Sequence, residues 1–158
     1  MKPASLAQIK KELQQYSPEA LKEMLLRLAK YKTENKELIS YLLFDSDDLA
    51  GYIADLKYEI SGILEEAVQK PGYQMRKGLR KAQRVISRYA KYTGFKETEA
   101  ELSVFFCQWL FDRNIHRLGI RPVQAVFYKQ VDKSEKLLAS VHEDLRSDYM
   151  EAIRLFRK

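Results

Sequence analysis

The chain is short of the residues that interrupt regular structure. Its 158 residues include six glycines and four prolines, so the elements between them are long, which favours helices over many short strands. The single cysteine, Cys107, excludes an intrachain disulfide. It lies in the apolar stretch SVFFCQWLF, where a buried, reduced thiol is expected. No apolar run approaches the roughly 18 residues that a spanning helix needs. The opening MKPASLAQIKKEL has no apolar signal core. The expectation is a cytoplasmic protein with no membrane partner.

Signatures of catalysis are also missing. There is no glycine-rich phosphate loop, GxSxG, HExxH or paired CxxC. His116 follows Asp112 by one helical turn, a spacing that supplies two metal ligands from one helix. A third ligand is lacking and Arg113 and Arg117 alongside repel a cation, so an exposed histidine near a helix end is expected instead. His142, in VHEDL, reads as part of a solvated face. No metal, cofactor or catalytic residue is assigned.

Apolar residues make up 46% of the chain and charged residues 32%, an ordinary balance for a helix-rich globular protein. Helix starts are legible. Ser5 with Gln8 and Thr98 with Glu101 fit the capping box, and Asp132 with Glu135 is a looser version. Ser17-Pro18 places a capping hydroxyl before a first-turn proline. Pro71-Gly72, Gly94 and Gly119 mark stops. These signals predict helices near 6–15, 18–31, 34–44, 47–69, 73–92, 99–118, 122–131 and 133–157. No segment alternates for long enough to form a strand. The fold expected is all-α, a single domain over 1–158 with a compact array of seven or eight helices. Within it, Leu102, Phe105, Phe106, Trp109 and Leu110 form one stripe while Val104, Cys107 and Phe111 fill other faces, which marks a central helix.

RLAKY at residues 27–31 returns as RYAKY at 88–92. Each copy precedes a short break, a Thr-Glu pair and another helix, so a degenerate two-fold repeat of stacked helical hairpins over 17–69 and 73–131 is one reading. Coincidence among common helix residues is the other.

Charge is unevenly placed. The formal net charge is +6, yet Lys70 to Lys96 hold nine cations and no carboxylate, leaving nineteen cations against twenty-two acids elsewhere. At 100° per residue Lys77, Arg80, Lys81, Arg84, Arg88 and Lys91 share one stripe opposite Met75, Leu79, Ala82, Ile86 and Tyr89. Like charges three and four residues apart repel by a few tenths of a kcal/mol per pair, so the row calls for a counter-charge. The preceding helix offers Asp48, Asp55, Glu59 and Glu66 on one face, and the cations either pair with these or face outward to bind an anion. The expected function is a non-enzymatic interaction module presenting this basic helix to an acidic protein surface. The alternative is a nucleic-acid-binding protein contacting phosphates through the same residues, with Tyr89, Tyr92 and Phe95 interleaved among the cations.

Overall fold

The computed structural model describes residues 2–158, which form eight α-helices and no strand. Among them no helix is long and apolar enough to cross a membrane. The chain divides into two compact units between Phe44 and Asp45.

The first unit holds α1 (Leu6–Leu13), α2 (Pro18–Tyr31) and α3 (Thr33–Ser40), and α3 runs into a π-helical turn, Tyr41–Asp45. The capping box at Ser5 forms as expected, with Gln8 N donating to Ser5 Oγ at 3.3 Å and Ser5 N donating to Gln8 Oε1 at 2.9 Å. Ser17 Oγ caps α2 by accepting from Ala20 N at 3.2 Å, ahead of Pro18 in the first turn. Lys32, in extended conformation, separates α2 from α3, and Asn35 Nδ2 donates across the break to the Leu28 carbonyl. No side chain of these three helices is buried. Leu6, Ile9, Leu13 and Tyr16 recur at three- and four-residue steps along α1 and beyond it, and all four are exposed.

The second unit holds α4 (Leu49–Val68), α5 (Gly72–Thr93), α6 (Lys96–Asp112), a 3₁₀ turn (Ile115–Arg117), α7 (Arg121–Leu138) and α8 (Glu143–Phe156). α6 is its centre. Most of the circumference of this helix is buried, from Ala100 and Leu102 through Phe106 and Cys107 to Leu110, and α4, α5, α7 and α8 all pack on it. Its neighbours contribute Leu56, Ile60 and Leu64 from α4, Leu79 and Ile86 from α5, Phe127 and Val131 from α7, and Ile153 and Phe156 from α8. Polar links tie the layers together. Lys57 of α4 pairs with Glu101 of α6 at 2.5 Å. Lys133 of α7 reaches both Glu99 of α6 and Ser87 of α5.

Three boundaries differ from the sequence-based expectation. α6 starts at Lys96, before the Thr98–Glu101 box. Thr98 is instead buried beside Thr93, their hydroxyls 3.1 Å apart, and Thr93 Oγ1 accepts from Phe95 N, so these hydroxyls close the α5–α6 turn. α6 ends at Asp112 because Asn114 takes a left-handed conformation (φ 55°), which asparagine tolerates. The break expected at Asp132 falls at Ala139–His142. Val131, Ser134 and Leu138 are buried, which carries α7 through, and Asp132 and Glu135 both accept from Arg157 rather than starting a helix.

Two glycines inside helices report how closely α4 and α5 approach. Gly62 of α4 has open space where a Cβ would lie, whereas a Cβ on Gly78 of α5 would collide with the Ala67 Cβ. Gly62→Ala is expected to stabilise the protein by about 0.5–1 kcal/mol through helix propensity. Gly78→Ala gains the same propensity but must push the helices apart, with a net loss of about 1–3 kcal/mol. Urea denaturation of both variants checks the contrast. Equal stability would show that the helices are not in contact at Gly78.

Candidate anion interface

α5 is amphipathic with unusually strict segregation. Met75, Leu79, Ala82, Ile86 and Ala90 recur at steps of four and three and are all buried. The opposite side carries the cations. Lys77, Arg80, Lys81, Arg84 and Lys91 are exposed, and among the described residues none of the five forms a salt bridge. From Lys77 to Lys91 the row runs about 21 Å along the helix. The sixth residue of the row, Arg88, is half-buried: its Nε donates to Tyr92 Oη at 3.3 Å and its guanidinium lies 5.7 Å from the Tyr89 ring centre.

The acids that could neutralise this row form no salt bridge with it among the described residues. Asp48 is spent as the N-cap of α4, accepting from Gly51 N at 2.9 Å. Glu66 pairs with Lys70, four residues on. That hydrogen bond and charge hold the Glu66 carboxyl below its usual range, with a smaller contribution from the nearby Lys81. Asp55 and Glu59 are exposed on α4 and make no salt bridge among the described residues. Glu99 and Glu101 of α6 go to Lys133 and Lys57.

The row divides between two clefts. Lys77, Lys81 and Arg84 border the α4 side, together with Glu66, Lys70 and Tyr73. Arg76 and Arg80 border the α7 side, where Arg121 and Lys129 join them. Arg121 and Lys129 are eight residues apart, about two turns, and so lie on one face of α7. Sequence reasoning missed them because it counted charge one helix at a time, and both stand in stretches of unremarkable composition. Gln83, also in this cleft, donates its amide N–H to Gln130 Oε1 at 2.8 Å and so links α5 to α7.

The other candidate residues resolve differently. His116 is 4% exposed, not solvated as its position near a helix end suggests. The 3₁₀ turn folds it inward, and its ring stacks between Phe111 at 4.8 Å and Phe127 at 4.9 Å. Burial pushes its pKa down, opposed by a hydrogen bond to the Leu110 backbone, and Nδ1 has no hydrogen-bond partner among the described residues. Cys107 is buried as expected, and burial pushes its thiol up to about 12. Among the described residues no group of three metal-ligating side chains comes together. RLAKY and RYAKY each lie at a helix end, but Leu28 is half exposed where the matching Tyr89 packs against the core.

No protein-family model, curated protein or solved structure matches this chain.

The buried imidazole gives stability a definite pH dependence. With the folded pKa below the unfolded value near 6.5, the unfolded chain takes up the proton first as pH falls. Stability is therefore full above about pH 6.5 and declines below it, until the folded ring also protonates. The urea midpoint of the wild type is expected to drop between about pH 7 and 5, and His116→Gln to flatten that drop. Cys107 gives an independent check on burial: iodoacetamide at about pH 8 should leave the native thiol unmodified and label it once the protein unfolds.

Proposed function

We propose that this chain is a non-enzymatic helical interaction module that presents the cationic face of α5 to an acidic protein partner. The observation that carries the reading is the row Lys77, Arg80, Lys81, Arg84 and Lys91, exposed along one helix and in no salt bridge among the described residues. Such a row costs self-repulsion in the free protein and gains it back when an anionic surface lies along it. Arg88, tethered to Tyr92, adds to the field at the far end.

A protein partner is favoured over nucleic acid by the apolar surface. Of nineteen large apolar side chains left exposed, thirteen belong to residues 2–44, including Leu25, Leu28 and Tyr31 of α2. Exposed apolar side chains are what a protein partner covers and a phosphate backbone does not. Nucleic acid is the second reading, favoured by one observation: Tyr73 is 77% exposed beside Arg76 and Lys77, a ring available for stacking on an unpaired base.

Fluorescence anisotropy distinguishes the two. The probes are a labelled polyglutamate peptide and short single- and double-stranded oligonucleotides, at about 50 and 200 mM salt, a range across which several phosphate contacts lose orders of magnitude. The expected result is peptide binding that Arg80→Glu/Arg84→Glu abolishes. Oligonucleotide binding that is tighter, and falls by about 0.9 per contact on the log–log salt plot, would replace the first reading with the second. Binding of neither probe at low salt would remove both.

A further inference from the structure

We propose that the groove between α5 and α7 is a discrete site for a phosphate monoester, carried by a phosphorylated side chain of the protein partner. Arg76 and Arg80 approach from α5 and Arg121 and Lys129 from α7, and no acidic residue lines the groove. None of these four cations forms a salt bridge among the described residues. The α4-side cleft contrasts with it, because Glu66 already supplies a negative charge there. An incoming anion beside α7 therefore meets cations from two helices with no acid among them.

The kind of anion follows from the groups present. Three guanidiniums are planar forks that can each donate to two oxygens, and Lys129 adds a point charge. A carboxylate has two oxygens and one charge, and an internal phosphodiester has two free oxygens and one charge. A phosphate monoester has three oxygens and about −1.5 to −2 charge at pH 7, which matches a four-cation site best. The positive end of α7 adds to the field: Arg121 and Pro122 are its first residues, both line the groove, and no side chain caps the helix. The room, about 500 Å³, exceeds a phosphoryl group and leaves space for the residue that carries it. Gln83, held by Gln130, and the apolar Ala125 and Val126 form the remaining wall.

The source of the phosphate rests on the reading of α5 as a protein-binding face, whereas the phosphate preference of the groove does not. The test compares a labelled Glu/Asp-rich peptide containing one phosphoserine with its unphosphorylated twin. Single-stranded oligonucleotides with and without a 5′-phosphate form a second arm, and inorganic phosphate serves as competitor. The expected result is that the phosphopeptide binds at least tenfold tighter than its twin, and that millimolar inorganic phosphate removes the difference. Arg121→Ala and Lys129→Ala, both exposed and on α7, should erase the preference and leave the twin's affinity unchanged. Lys81→Ala/Lys91→Ala should weaken both peptides equally.

Equal affinity for the two peptides, with binding retained, overturns the phosphate site while leaving the acidic-partner reading in place. A preference that survives Arg121→Ala places the phosphate outside the groove and also overturns the proposal. A preference for the 5′-phosphorylated oligonucleotide without one for the phosphopeptide overturns the protein source. If neither peptide binds, the acidic-partner reading fails, and failure of inorganic phosphate to shift the wild-type melting temperature more than that of Arg121→Ala would then dispose of the groove as well.

Discussion

Leu102, Phe106 and Leu110 have no exposed surface, and Ser103 and Cys107 are buried in the same helix. A helix with this distribution has only a narrow strip, carrying Gln108 and Asp112, to give to water, so it is stable only when largely enclosed. The rest of the second unit follows from that requirement. α4, α5, α7 and α8 each present an apolar stripe to α6, and each keeps its other side for solvent. The connections are short, and Gly94 and Gly119, both at positive φ, let the chain reverse tightly enough to bring successive helices back onto the centre.

Enclosing α6 also determines how the charges are distributed. The buried residues of α5 commit one side of that helix to the core, which forces the cations onto the other. Close approach at Gly78 and Ala67 then seats α5 against α4, bringing Lys81 into the field of Glu66. On its other flank α5 meets α7, which contributes Arg121 and Lys129 and pairs Glu99 with Lys133. One flank of α5 is thereby partly compensated and the other is not.

Much of this was legible in residue order. Six glycines and four prolines, readable caps at Ser5 and Ser17, and the apolar run around Phe106 carried the all-helical architecture. The misplaced boundaries share a cause. Thr98 and Asp132 look like caps because their side chains can satisfy a free backbone N–H, yet each finds a partner brought in by folding, Thr93 for one and Arg157 for the other. The break after Leu138 has no glycine or proline to announce it. His116 carries no local sign of burial; it enters the core because Asn114 turns the chain and Phe111 and Phe127 meet around the ring.

The sequence by itself determined that α5 would have one cationic face and one apolar face, because helical periodicity assigns residues to sides without reference to anything else. It also determined that no acid lies within that helix, from Lys70 to Lys96. Which distant charges would meet the row was decided only by the tertiary structure. Glu66, Arg121 and Lys129 come to α5 through helix packing, whereas Asp55 and Glu59 line neither cleft. Coulomb interactions depend on distance in space, and distance across helices is set by how side chains interlock in the core, which no single segment encodes.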